Sequence, residues 1–364
     1  TIREILDGAF ARGTPERMRG FIDSFDPERP PTLYYHHAML PHQPWVTWPD
    51  GAAYRDADVV GSFLPEADRR FRYSWSSAEA AVSEQRHLLQ AANTDRLVGQ
   101  MLDTLRSRGM YDESLIVIIG DHGVSFEHRT NARIATTETL DSIAYAPLFV
   151  KLPGQTDGGI DDRNLMSVDV LPTVAAALGI DVPWQVDGAP ADSPEVAARG
   201  SEKRFYPFQD IYAKAMPDVI TFDDATTFPS IDDRWIGPLE DPDLPVAGLW
   251  EALDVADAIG REVESFNPLY GGRASITKVG DLLEPPADTL PIGIVQGAIE
   301  DGPREGRVLL AVNGRVIAGG LLAADREGVR RFSVLVEPGA IGAGDDVELL
   351  VQDQGVTARL AFAD

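Results

Sequence analysis

The stretch Ser114–Phe126, SLIVIIGDHGVSF, decides how this chain is read. Leu115 to Ile119 are five consecutive aliphatic residues, the pattern of a short strand buried on both faces. Gly120 stops the run, and Asp121 and His122 follow side by side. A carboxylate and an imidazole are expensive to place at the mouth of a core strand, and both are ligands for divalent cations. A loop aspartate that happens to neighbour a histidine is commoner among proteins at large, so the meaning of the pair rests on its surroundings.

Upstream, Ser76 to Arg108 carries the longest helical pattern, with Leu88, Leu89, Ala92, Leu97, Met101, Leu102 and Leu105 recurring mostly at three- to five-residue steps. Before that helix, RPPTLYYHHAML (29–40) enters a β-prone aromatic run after a Pro pair, and PHQPWVTWPDG (41–51) is loop, with three Pro and a terminal Asp-Gly. Strand, long helix and strand in succession predict a βαβ unit with its two strands parallel. APLFVKLPG (146–154) predicts another strand. SVDVLPTVAAALGI (167–180) predicts a helix with Pro172 in its first turn and Gly179 as its stop. The expected architecture is α/β, a parallel sheet flanked by helices, with chemistry in the loops beyond the strand C-termini.

After about Ala197 the character changes. FPSIDDRWIGPLEDPDLPVAG (228–248) is rich in Pro and Asp, and a short helical pattern follows from Leu249 to Val263. From Leu290 onward the signals are all β, and in LLAVNGRVIAG (309–319) Asn-Gly marks a tight hairpin turn. The expected division is an α/β portion at 1–197, an irregular linker with a short helix at 198–265, and a β-rich accessory domain at 266–364, a small β-sandwich. No catalytic constellation is visible in that last region, which leaves it binding or packing.

The formal net charge is −26, so nucleic acid and anionic lipid are repelled rather than bound by general electrostatics. No Cys is present, which excludes disulfides, thiolate metal sites and a cysteine nucleophile within these residues. No apolar run approaches the ~18 residues needed to span a membrane. The chain opens at Thr1 without Met or a basic-then-apolar leader, which reads as a processed, trimmed or fragmentary start.

Five of the six histidines fall in two short windows: His36, His37 and His42 in one, His122 and His128 in the other. His87, mid-helix, reads as a packing residue. Asp121 and His122 can offer an oxygen and a nitrogen to one divalent cation, a donor set suited to zinc or manganese, with magnesium and calcium as the alternatives. Such a cation would polarise a phosphoryl or sulfuryl oxygen. His42, between Pro41 and Pro44, is placed to donate to a substrate oxygen or to protonate a leaving alkoxide, and as an imidazolium would neutralise an anionic ester.

PHQPW (41–45), LDTLRSRGMYDESLIVIIGDHG (102–123), APLFVKLPGQ (146–155) and VDVLPTVAAALGI (168–180) together resemble, in order and spacing, the C-terminal half of a sulfatase domain of the alkaline-phosphatase-like superfamily. The resemblance implies a partial alkaline-phosphatase-like sheet and metal-dependent hydrolysis or transfer of sulfate or phosphate esters. It implies Asp121 and His122 as the second pair of metal ligands and His42 as a substrate-binding or leaving-group histidine. It also puts His37 where related membrane-anchored bacterial members carry a histidine, while His128 matches no motif. DHGVSF, VKLPGQTDGG and LLAVNGRVIAG…FSVLVEPGAI are similar to multi-pass actinobacterial membrane proteins with a sulfatase-like extracellular domain. That likeness implies the extracytoplasmic face of the bacterial cell membrane, attachment through segments outside this chain, and an anionic ester substrate, with a cell-envelope glycan or lipid as the candidate.

The family's first metal-binding Asp and its nucleophile lie well upstream of the PHxP segment, further than the 41 residues available before His42. GTPER (13–17) resembles the sulfatase nucleophile signature, but Gly13 stands at the reactive position and has no side chain to attack with. It reads as a helix start, with Thr14 as N-cap, Pro15 in the first position and Arg17 outside. Asp121, His122 and His42 are thus expected to form half of a site whose nucleophile is not in the chain. The competing expectations are a non-catalytic extracytoplasmic binding module that keeps the fold and, less well supported, a cofactor-independent mutase.

Overall fold

The periodic run of leucines forms one helix of 31 residues, and the rest of the structure is arranged along it. The computed structural model describes residues 14–43, 45, 47, 49, 51, 77–126, 133–136, 139–207, 219–223, 255–276, 294–303, 306–324, 329–336 and 339–362. The GTPER segment opens α1 (Thr14–Asp23), with Arg17 exposed, as a helix start would have it. The long helix is α2 (Ser77–Ser107). Its C-terminal half buries Leu97, Met101 and Leu105 against Met18, Ile22 and Phe25. Gly109, at φ +68°, ends it, with the Met110 amide returning to the Leu105 carbonyl at 2.8 Å.

The aliphatic run forms β1 (Ile116–Ile119), followed by α3 (Leu140–Ala144) and β2 (Leu148–Lys151). The expected parallel sheet is corrected here. β1 and β2 pair antiparallel, Ile116 with Lys151 through Ile119 with Leu148, as a two-stranded sheet. Residues 32–39 run outside any strand, so the βαβ unit is not formed. A parallel crossover takes a dozen or more residues, usually as a helix packed along the sheet. The described helix between β1 and β2 has five residues and carries the chain straight back. Lys151 then pins the turn before β1, donating to the carbonyls of Tyr111 and Asp112 at 2.6 Å each and of Ser114 at 3.1 Å.

Next comes a 3-10 turn at Ser167–Asp169 and α4 (Val170–Ala177), with Pro172 buried in its first turn and Gly179 at φ +65° beyond its end. Asp169 is 1% exposed and accepts from the amides of Met166 (2.7 Å) and Ala189 (2.9 Å) and from both arms of Arg199 (2.5 and 3.0 Å). Burial alone would raise the Asp169 carboxyl, but Arg199 and the two amides overcome it and hold its pKa below the ordinary value. α5 (Pro194–Ala197), capped by Ser193, and then the antiparallel pair β3 (Glu202–Phe205) and β4 (Ile220–Asp223) follow.

The expected sandwich is also corrected. β5 (Leu269–Ile276), β6 (Ile294–Asp301), β7 (Gly306–Val312), β8 (Arg315–Ala324), β9 (Arg330–Leu335), β10 (Val347–Asp353) and β11 (Val356–Phe362) close into one barrel. Its order is β10-β11-β5-β6-β9-β8-β7, with β7 returning to β10. Closure is made by the parallel pairing of β5 with β11, which removes the free edges a sandwich would keep. The Asn-Gly hairpin forms as expected: Val312 pairs with Arg315, and Asn313 and Gly314 take φ values of +52° and +77°. Phe332 is fully buried in the barrel, and a side chain on Gly297 would meet its ring at 2.6 Å.

Leu309 and Leu310, neighbours on β7, are both fully buried, so both faces of the barrel wall are covered there. Val255, Ala258 and Val263, from two short 3-10 segments, join the same core as Leu89 of α2, and α2 packs against β8. Among the described residues no helix is long and apolar enough to cross a membrane.

Breaking a buried ion pair from one side leaves an uncompensated charge. Asp169→Asn should therefore cost about 3 kcal/mol of unfolding free energy. Because the native carboxyl is held low, its stabilisation is present above the ordinary carboxylate value and is lost as pH falls through the native one. The variant should lose that part of the acid sensitivity, which denaturant unfolding at pH 7 and pH 3 would measure.

Candidate functional site

The end of β1 and the PHQP loop meet in one neighbourhood. The Gly120 amide donates to the Pro147 carbonyl at 3.0 Å, extending the β1–β2 ladder by one residue before the chain leaves the sheet. Asp121 Oδ1 accepts the His122 amide at 2.9 Å, and Asp121 is largely exposed. His122 Nδ1 lies 2.7 Å from the Gly123 carbonyl. A carbonyl only accepts, so Nδ1 carries the proton, and the neutral ring keeps its lone pair on Nε2. That Nε2 faces Asp121 Oδ2 at 3.7 Å.

Two donors sharing one cation at about 2.1 Å each must lie within about 4 Å of one another. Oδ2 and Nε2 meet that condition, and one oxygen with one nitrogen is a fitting donor set for a divalent ion. Among the described residues no group of three or more His, Cys, Asp or Glu gathers at one point, so this pair would supply at most two ligands of a coordination shell.

Gly123 is held by α3. Its amide donates to the Ile143 carbonyl at 2.8 Å, and a Cβ at Gly123 would fall 2.0 Å from the Ser142 carbonyl oxygen. α3 in turn is anchored by buried Leu140 and Ile143. Thr139, fully buried just before it, accepts the Thr136 amide and donates to the Ile134 carbonyl, both at 2.9 Å. The same short helix therefore positions the His122 loop and the segment that begins at Arg133.

His42 is held from the other side by α2. Gln90 Nε2 donates to the His42 carbonyl at 2.7 Å, Asn93 Nδ2 to Thr47 Oγ1 at 3.4 Å, and Arg96 Nε to the Pro49 carbonyl at 2.9 Å. Trp45 donates from its indole to the Pro41 carbonyl at 3.0 Å. Its ring packs on His87 at 5.7 Å and on Phe126 at 5.4 Å, tying the PHQP loop to the end of the GDHGVSF loop. His87 is thereby the packing residue expected; burial pushes its pKa down to about 4, against a hydrogen bond to the Pro41 carbonyl.

His42 Nδ1 lies 2.5 Å from the Gln43 carbonyl, and its Nε2 lies 2.9 Å from the Arg133 guanidinium. Arginine has no lone pair to offer, so Arg133 donates and Nε2 accepts. His42 is then the neutral Nδ1–H tautomer. Its ring keeps an open edge, yet close packing is the largest influence on its proton affinity and lowers it. The Gln43 carbonyl and Asp121 oppose that fall, while Arg133 and His122 add to it. An imidazolium at His42 is therefore disfavoured in this arrangement, in which Arg133 donates to the ring.

The structure thus brings Asp121, His122 and His42 into mutual electrostatic range and adds Arg133 to them. His37 stands apart: it is exposed, and among the described residues no hydrogen bond or ion pair joins it to the other three. Its neighbour His36 stacks on Phe21 at 4.9 Å, a packing role. His128 lies outside the described residues. The sequence reading does not single out Arg133 or Gln90. Gln90, Asn93 and Arg96 do leave a signal, three polar residues at three-residue steps along one side of an otherwise apolar helix pattern.

Residues 14–180 match the family described as Sulfatase. Over 101 residues the chain is 31% identical to the lipoteichoic acid synthase of Staphylococcus aureus strain USA300, a match covering 26% of this chain and 16% of the relative. The lipoteichoic acid synthases of strains NCTC 8325 and COL match with the same figures. The matched stretch is thus only about a sixth of the length of these relatives.

Since no side chain fits at Gly123, Gly123→Ala should lose about 1–3 kcal/mol of stability, the usual cost of overpacking. The NMR signals of His122 should shift more than those of the remote Asn313–Gly314 turn. Unchanged stability with unchanged His122 signals would show that the loop does not depend on its contact with α3.

Proposed function

Residues 14–180 belong to the sulfatase family, and from that premise we propose that this chain supplies one half of a metal-dependent site that hydrolyses or transfers sulfate or phosphate esters. The observation that carries the reading is the presentation of His122. Its Nδ1–H is tied to the Gly123 carbonyl, so its Nε2 lone pair is turned toward the Asp121 carboxylate. A backbone-tethered Nδ1 is the usual way of fixing a metal-binding imidazole. Asp121 and His122 would hold one divalent cation, with zinc, manganese, magnesium and calcium as the candidates. When bound, that cation supplies Lewis-acid polarisation of the ester.

His42 serves as a substrate-side group. As a neutral ring with its proton on Nδ1, it offers Nε2 as an acceptor, so it must receive a proton there before it can donate to an ester oxygen or to a leaving alkoxide. His37 is carried by family resemblance alone, and no observed contact supports a role for it. The first metal ligand and the nucleophile are expected from residues upstream of those in this chain.

The substrate side of the proposal is an anionic ester of the cell envelope, lipid or glycan, met at the extracytoplasmic face of the membrane through segments outside this chain. The relatives' name, lipoteichoic acid synthase, supports that direction. We keep the functional division at 1–197 for the α/β portion, 198–265 for the connection and 266–364 for the β-domain. The packing of α2 on the barrel gives the last of these a supporting role.

The test is a Mn²⁺ titration of the wild-type chain and of Asp121→Ala. Loss of an outer-shell partner alone costs roughly 10- to 100-fold in metal affinity, so loss of a ligand should cost at least about tenfold. In the full-length protein the same substitution should abolish ester turnover. Equal Mn²⁺ affinity in the two chains would remove Asp121 from the ligand set and the reading with it.

A further inference from the structure

The rings of Trp45, His87 and Phe126 form a closed triangle where the two sides of the site meet. We infer that His87 is a positioning residue for the reaction proposed above: from α2 it sets the spacing between the His42 loop and the Asp121–His122 loop. This rests on the ester-cleaving or ester-transferring reading and adds to it a residue outside the set Asp121, His122 and His42.

Three observations lead there. The first is the triangle itself. Ring centroids lie 5.7 Å apart for Trp45 and His87, 5.5 Å for His87 and Phe126, and 5.4 Å for Trp45 and Phe126. One ring comes from the PHQP loop, one from α2 and one from the end of the GDHGVSF loop. Two loop rings alone would set one distance between two adaptable segments. The third ring, carried by a helix, refers both loops to one rigid frame.

The second is how little else sets that spacing. Among the described residues no backbone hydrogen bond joins residues 39–51 to residues 120–126. The PHQP loop answers to α2, through Gln90 on the His42 carbonyl, three residues beyond His87 and on the same side of the helix. Trp45 itself is buried and tied to the Pro41 carbonyl at 3.0 Å, so a shift of its ring is passed to the residue before His42.

The third is what holds His87. The next two residues, Leu88 and Leu89, pack into the core of the barrel, and α2 lies against β8. The place of His87 is thus set from behind, by contacts that involve neither loop. A ring fixed in this way acts as a stop against which both loops close. Tilted and edge-on ring pairs at these separations are the favoured geometries of aromatic contact, so the stop is also a directional one.

The experiment compares the His42 imidazole ¹⁵N signals by NMR in the wild-type chain, His87→Ala and His87→Phe. His42 Nε2 accepts from Arg133, whose segment belongs to the α3 side, so its signal reports whether the two sides still meet. His87→Ala should shift the Nε2 signal while the Asn313–Gly314 turn of the barrel keeps its own. His87→Phe restores a ring to the triangle and should shift it less. In the full-length protein, kcat for ester turnover should fall about a hundredfold in His87→Ala, the cost of a misplacement of about 1 Å, with KM changed less.

Equal Nε2 signals in the wild type and a folded His87→Ala would overturn the inference, as would a His87→Phe chain shifted as far as His87→Ala. If His87→Ala does not fold, Phe126→Leu carries the test by removing the ring on the opposite loop, and an unmoved Nε2 there would overturn it. The NMR arm needs neither metal nor ester, which separates the two readings. A shifted Nε2 with no ester turnover by the wild-type full-length protein sinks the proposed function and leaves the positioning role. Turnover with an unmoved Nε2 does the reverse.

Discussion

One helix carries three incompatible-looking jobs, and the rest of the molecule depends on its doing all of them. Along Ser77–Ser107, Leu97, Met101 and Leu105 bury against the first helix, Leu88 and Leu89 reach the core of the barrel, and Gln90, Asn93 and Arg96 grip the loop that carries His42. A surface helix with one apolar stripe could serve one of these contacts; a 31-residue helix turns through enough of its surface to serve all three. The barrel is therefore more than an appendage: its outer wall braces the helix that sets the height of His42. Polar groups buried at that contact are held by hydrogen bonds to loop carbonyls and to the Thr47 hydroxyl, which is the condition under which such groups can be buried at all.

The second fixed point is the short helix Leu140–Ala144. It receives the Gly123 amide, presses its Ser142 carbonyl into the space a side chain would take at Gly123, and begins at the threonine that anchors the Arg133 segment. Two loops that bear on one small volume are thus set from one place. The chemistry follows from proton positions: carbonyls at Gly123 and Gln43 each take an Nδ1–H, which leaves two Nε2 lone pairs, one facing a carboxylate and one facing a guanidinium. The two histidines are the same tautomer with different assignments, a ligand in one case and an orienting acceptor in the other.

Much of this was legible in the chain itself, for local reasons. The 3.6-residue recurrence of leucines locates the long helix, the aliphatic run before Gly120 locates a strand, and Asn313-Gly314 locates a hairpin, because each signal lives within a few residues. The direction of pairing was not legible. A strand reads the same whether its neighbour runs with it or against it, and the aromatic run before His36 has the composition of a strand without forming a ladder. Barrel closure was hidden for the same reason: it depends on residues around Leu269 meeting residues around Ala358, and nothing local in either announces the other. At the site, Asp121, His122 and His42 were visible because their residue types and flanking motifs are unusual. Arg133 was invisible because an isolated arginine carries no pattern, and only the fold brings it to His42.

The most direct measurement is anomalous diffraction from crystals of this chain soaked with Mn²⁺. A peak within about 2.2 Å of both Asp121 Oδ2 and His122 Nε2 is the result predicted, with His122 Nδ1 still on the Gly123 carbonyl. Mn²⁺ found elsewhere on the molecule, or no peak with the Asp121–His122 pair unmoved, would contradict the assignment of that pair as metal ligands.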